Sequence, residues 1–181
     1  DGDGDRVVMV DEHGEVIDGD QILFVLATAR TTVGVLVGPV VGTVLSNLGL
    51  DHALQAHDIE FRRSDVGVRY VLEELRLTGG IIGGETSGHM ICLDKTTTGD
   101  GLVTALQVLA IMKRTGQSLS ALVGGMSRYP QTIVNVRTEE RLDTGAHPAI
   151  QDDVTAVEEE LAESGSVVLR ASGTEPVIRV M

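Results

Sequence analysis

β-Branched runs and stretches of helical periodicity take turns along most of this chain, and a glycine or a short polar residue marks each changeover. That alternation is the strongest constraint on the fold. A strand apolar on both faces and a helix with one apolar stripe can bury each other only in stacked layers, the signature of an α/β arrangement. Asp18-Gly19-Asp20 supplies an N-cap for a helix over residues 21–29, and the β-branched run 32–41 predicts a strand buried on both faces. Residues 44–50 read as the helix that follows it, and 59–62 as another strand. Ser64 or Asp65 caps the next helix, which carries Val66, Tyr70, Leu72 and Leu75 and stops at Gly79. The clearest helix spans 102–114, with Leu102, Leu106, Leu109 and Lys113 along one face and Gly116 at its end, and a shorter one follows at 118–123.

Gly124-Gly125-Met126-Ser127-Arg128-Tyr129-Pro130 breaks the pattern and reads as an interdomain linker. Beyond it come a strand at 132–136, a polar loop through Pro148, a helix at 152–164 and a strand running into Arg170. Val154, Val157 and Leu161 give that helix its buried face, and Gly165 its stop. This is the order of a small α+β domain. A length of 181 residues with 42% apolar content suffices for one medium domain or two small ones.

Charge narrows the partners. At a net charge of −13, the surface excludes nucleic acid, and an anionic substrate needs local arginines. The single cysteine, Cys92, sits in an apolar run and cannot form an intrachain disulfide. No apolar stretch reaches membrane-spanning length and no signal peptide heads the chain, so a cytoplasmic protein without membrane partners is expected. The chain opens on Asp1, inside a motif, which suggests a fragment.

Three polar stretches carry candidate chemistry. Asp1-Gly2-Asp3-Gly4-Asp5-Arg6 sets carboxylates at alternate positions of a tight loop, where they can turn onto one hard cation such as Mg2+. A calcium loop of the EF-hand kind, using Asp1, Asp3, Asp5 and Glu12, fails because Arg6 stands where that loop needs glycine. Glu85-Thr86-Ser87-Gly88-His89 places a carboxylate, a hydroxyl and an imidazole on a glycine-hinged loop between two strands. Glu85 and Ser87 can hydrogen-bond sugar hydroxyls, and His89 can shuttle a proton. Last, Arg170-Ala171-Ser172-Gly173-Thr174-Glu175-Pro176 followed by Arg179 offers guanidinium forks, hydroxyls and free amides to one phosphate. Each stretch also has a structural alternative: a solvated acidic turn, a histidine satisfied by backbone, an ordinary hairpin with surface arginines.

The ordered set DGDGDR, GExSGH and RxSGTEPxxRVM resembles the later portion of the α-D-phosphohexomutase family, most closely its phosphoglucosamine mutase branch. Val10-Asp11-Glu12, Asp18-Gly19-Asp20, Thr97-Thr98-Gly99-Asp100-Gly101 and Tyr129-Pro130-Gln131 also fit, so the resemblance covers essentially the whole chain. It implies a partial mutase of mixed α/β fold. Residues 1–18 would be the tail of a metal-binding second domain, 19–127 an α/β sugar-binding third domain, and 128–181 an incomplete α+β phosphate-binding fourth.

On that resemblance, Asp1, Asp3 and Asp5 hold Mg2+, while Arg6 and His89 are catalytic. Glu85, Ser87, Gly88 and Arg69 bind substrate, and Arg170, Ser172, Gly173, Thr174 and Arg179 bind the phosphate that is not transferred. The expected reaction interconverts glucosamine 6-phosphate and glucosamine 1-phosphate through a phosphoserine and a bisphosphate, within UDP-N-acetylglucosamine biosynthesis. The family's serine loop does not occur in this sequence, so the chain alone is expected to be inactive. Alternatives are a phosphomannomutase or phosphoglucomutase, or a non-catalytic phosphosugar-binding remnant; a homodimer stays open. Two departures stand out: Val68 where the branch typically carries Asp, and Thr86 where glutamine is commoner.

Overall fold

In the computed structural model, which describes residues 2–139, 147–171 and 175–181, the first helix is fixed by its own sequence. Asp18 accepts from the Gln21 amide while the Gln21 side chain accepts from the Asp18 amide, a reciprocal capping box that starts α1 (Gly19–Thr32). Its apolar residues Ile22 to Ala27 are all buried, so α1 is a central helix rather than a surface one. Preceding it, β1 (Met9–Val10) and β2 (Val16–Ile17) form a short antiparallel hairpin.

A four-stranded sheet in the order β4-β3-β5-β6 lies beside α1, built from β3 (Val40–Thr43), β4 (Phe61–Ser64), β5 (Ile82–Gly84) and β6 (Met90–Cys92). β3 pairs parallel with both β4 and β5, whereas β6 returns antiparallel on β5. Successive strand residues face opposite sides. Val40 and Met90 join the main core with α1, α4 (Gly101–Thr115) and α5 (Leu119–Val123), while Val41 and Ile91 pack with Val71 and Leu75 of α3 (Val68–Thr78). The sheet is therefore covered on both faces. Gly79 and Gly116, both at positive φ, end α3 and α4 as expected.

Several expectations are corrected. The run 32–41 is not one strand: α1 continues to Thr32 and only Val40 and Val41 enter the sheet, because Gly34 and Gly38 turn the backbone and Pro39 lacks an amide donor. The helix expected at 44–50 is α2 (Leu48–Gln55), started later by Asn47, whose side chain accepts from the Gly49 amide. Neither Ser64 nor Asp65 caps α3; Gly67 occupies that place without a side-chain cap, and α3 buries Val71 and Leu75 while Tyr70 stays exposed. On α4 the buried residues are Gly101, Thr104, Val108 and Ile111, so the Leu102, Leu106 and Leu109 stripe faces outward.

The chain divides into two units, Asp1–Tyr129 and Pro130–Met181. In the second, β7 (Val134–Arg137), β8 (Leu169–Ala171) and β9 (Val177–Val180) form an antiparallel sheet in the order β7-β9-β8. Its helix, α6 (Pro148–Leu161), starts earlier than the expected 152 because Pro148 fits the first helical turn. None of its residues is buried, so Val154, Val157 and Leu161 do not form the buried face expected of them. No described helix is long and apolar enough to cross a membrane.

Candidate functional site

The centre of the site is a hairpin tip. Between β5 and β6, Glu85 N donates to His89 O and Gly88 N donates to Glu85 O, with Gly88 at a φ of +95°; this is a three-residue loop closed by a left-handed glycine. Glu85 and His89 thus stand opposite each other across the hairpin, where side chains share one face. Glu85 Oε2 lies 3.1 Å from His89 Nδ1, and Ser87 Oγ lies 3.2 Å from the same nitrogen.

The acidic loop docks on this hairpin. Arg6 bridges His89 antiparallel and Val7 N donates to Gly88 O at 3.0 Å, an approach that a side chain at Gly88 would block by meeting the Val7 carbonyl. The docking brings Asp5 Oδ2 to 2.7 Å from His89 Nε2. His89 therefore sits between one carboxylate 84 residues away in sequence and another only four residues away. Its hydrogen bond, outweighing desolvation, holds the Asp5 carboxyl below its ordinary value. A neutral ring can donate to Asp5 and accept from Ser87, whereas an imidazolium can donate to both carboxylates.

The other Asp5 oxygen, Oδ1, is shielded from solvent and has no hydrogen-bond partner among the described residues, with Arg6 Nε at 3.7 Å. An unpartnered carboxylate oxygen beside Asp3 suits a hard cation with oxygen ligands. Among the described residues no group of three or more His, Cys, Asp or Glu is arranged to hold an ion, and Asp1 lies outside them. An open cleft of about 420 Å³ runs past this loop, lined by Gly4, Arg6, Ser87 and Leu102. Ser87 is exposed and Gly88 buried.

Glu85 does a second job that sequence reasoning missed. Its Oε1 accepts from Gly67 N at 2.9 Å, filling the place of the cap that α3 lacks. Arg69, two residues on, instead stacks on Tyr70 and donates to its hydroxyl at 2.8 Å, so its guanidinium is directed at its neighbour. Sequence offered one faint signal for the Glu85 contact: Gly67 begins a helix with no capping side chain of its own.

In the second unit, Arg170 on β8 is the register partner of Arg179 on β9, and Arg179 is in turn that of Asn135 on β7. Both arginines are exposed. Like charges directly opposite each other in a sheet repel, so this row is suited to an anion. Ser172, Gly173 and Thr174 lie outside the described residues.

A family model described as phosphoglucomutase/phosphomannomutase, alpha/beta/alpha domain III, matches residues 18–129, and one for the C-terminal domain of the same family matches 133–181. Among curated proteins, the phosphoglucosamine mutase of Methylococcus capsulatus is 56% identical over the whole chain, and that of Halorhodospira halophila 55%. The chain spans 40% of the length of each. Among solved structures, Aspergillus fumigatus N-acetylphosphoglucosamine mutase in complex with GlcNAc-6P and magnesium matches with a TM-score of 0.80 at 20% identity, over 99% of this chain and 46% of that one. A phosphoglucomutase/phosphomannomutase family protein from Burkholderia thailandensis matches with a TM-score of 0.70 at 25% identity, over 99% of this chain and 40% of that one. With both domain models accounting for nearly all of its residues, the chain belongs to the phosphoglucomutase/phosphomannomutase family.

Proposed function

We propose that this chain is the sugar- and phosphate-gripping part of a phosphoglucosamine mutase, an isomerase that interconverts glucosamine 6-phosphate and glucosamine 1-phosphate. The observation that carries this reading is the His89 imidazole held between Asp5 of the acidic loop and Glu85 of the hairpin tip, with Ser87 beside it. The relatives, both phosphoglucosamine mutases, suggest the substrate class.

In this reading, Glu85 and Ser87 hold sugar hydroxyls and His89 moves a proton to or from the oxygen that gains or loses the phosphoryl group. Gly88 lets the tip approach the acidic loop. Arg6 faces the transferring group, while Arg170 and Arg179, with Ser172, Gly173 and Thr174, take the phosphate that stays. Arg69 would have to leave Tyr70 to reach a substrate. Asp3 and Asp5, together with Asp1, would hold Mg2+, which when bound offsets negative charge on the phosphoryl group. A phosphoserine from outside these residues would be the donor. The domain assignment follows the same logic, with 1–18 completing a metal-binding domain, 19–127 binding sugar and 128–181 binding phosphate.

The test is a chimera in which residues 1–181 replace the matching stretch of the Methylococcus capsulatus relative, assayed on glucosamine 6-phosphate. Conversion to glucosamine 1-phosphate is expected, with loss on His89→Ala. A folded chimera that converts only mannose or glucose phosphate would reassign the substrate. One inert on all three would favour a binding remnant.

A further inference from the structure

The second acidic triplet, Asp18-Gly19-Asp20, takes no part in the chemistry above, yet Gly19 and Asp20 both touch the hairpin tip. Asp18, besides capping α1, lies 3.2 Å from Arg128 Nε. Gly19 N donates to Thr86 O at 3.0 Å, and a side chain at Gly19 would collide with the Glu85 carbonyl, so the start of α1 is pressed directly against the hairpin tip. Asp20 is fully buried. Its Oδ2 accepts from Thr86 Oγ1 at 2.9 Å and from Asn47 N at 2.8 Å. The Asn47 side chain then holds Tyr129 at both ends, accepting from its amide at 3.0 Å and donating to its carbonyl at 2.9 Å.

We infer that Asp20 is a positioning residue for the 85–89 tip, and that the same carboxylate ties the tip, through Asn47, to Tyr129, where the first unit ends. The inference rests on the reading of Glu85 and Ser87 as the sugar grip. Burial alone does not account for a carboxylate in this place: burial raises its pKa, and its Oδ1 has no hydrogen-bond partner among the described residues, so the site keeps a group that is costly to bury. The return is a fixed acceptor for a hydroxyl on the loop that carries the proposed sugar-gripping residues Glu85 and Ser87. Thr86, the residue at which the sequence departs from the branch's commoner glutamine, is the one that reaches it.

The experiment pairs Thr86→Val, which removes only the hydroxyl, with Thr86→Ser, which keeps it, and adds Asp20→Ala. Two readouts on the chain itself are amide exchange followed by NMR and titration with glucosamine 6-phosphate. Thr86→Val should speed exchange at Glu85 and Gly88 roughly tenfold and weaken sugar phosphate binding by a similar factor, the worth of one lost hydrogen bond. Thr86→Ser should restore both, and amides in α4 should not change in either. Asp20→Ala should release Asn47 and Tyr129 along with the tip; should it fail to fold, the Thr86 pair decides. Wild-type exchange at the tip in Thr86→Val, or no rescue by Thr86→Ser, overturns the inference. If the unsubstituted chain binds no glucosamine 6-phosphate, the sugar reading fails, and the exchange rates still decide whether the clasp exists.

Discussion

The two units solve the problem of holding a polar site in opposite ways. In the first, the site residues are wired to one another and to a covered sheet: Glu85 caps α3, His89 spans two carboxylates, and the hairpin tip leans on α1, whose apolar residues Ile22 to Ala27 are all buried. In the second, the arginines stand in a row on a sheet, and the described helix buries none of its residues. One unit places its groups by packing, the other by strand register. Substitution should therefore cost the first unit its fold and the second its ligand.

The largest effect sought is in the core. Leu26→Ala, at a fully buried position of α1, should destabilise the first unit by about 3 kcal/mol, whereas Val157→Ala on exposed α6 should change stability by less than about 0.5 kcal/mol. Denaturant melts that gave equal losses would erase the contrast. Next, Arg170→Ala should weaken phosphosugar binding by roughly ten- to a hundredfold, as expected for losing hydrogen bonds from a charged group. Because Arg170 faces Arg179 across the strands, the same change should leave the unfolding midpoint of the second unit unchanged or slightly higher; calorimetry showing full binding would discard the cradle.

Caps give a finer measure. Asp100 accepts from Val103 N to start α4, while His147 makes no capping bond for α6. Asp100→Ala should cost about 1 kcal/mol and His147→Ala close to nothing. Smallest and most local is an acid effect. Hydrogen bonds from Ser118 and Ser120 depress the Glu12 carboxyl from 4.5 to about 2, tying the β1–β2 turn to the start of α5. A depressed folded-state value means the contact stabilises above about pH 4.5 and is lost as pH falls through about 2. The Ser120 amide shift should titrate with that low midpoint; a midpoint near 4.5 would show that the contact does not form.

What the sequence makes legible follows the same division. Helix ends at Gly79 and Gly116, the N-cap within Asp18-Gly19-Asp20 and the strands flanking the 85–89 tip are read correctly because their signals lie within a few residues of the effect. Where the reading fails, a distant group decides. The periodicity of α4 reveals an apolar stripe at Leu102, Leu106 and Leu109 but not that the sheet takes the Val108 face instead. β-Branched composition at 32–41 favours extended backbone without saying whether a partner strand exists for it. The three polar motifs were individually visible; the Asp5–His89 bond and the Gly67–Glu85 cap were not, since both depend on how the layers close.

The antiparallel return of β6 onto β5 has a consequence for how such a site can vary over time. Since Gly84 pairs with Met90 and only three residues separate Glu85 from His89, an added residue that β6 took up by slipping one position would send the imidazole to the far side of the ribbon. New preferences at this tip arise with least disturbance by exchanging the exposed Ser87, since Thr86 is held by Asp20.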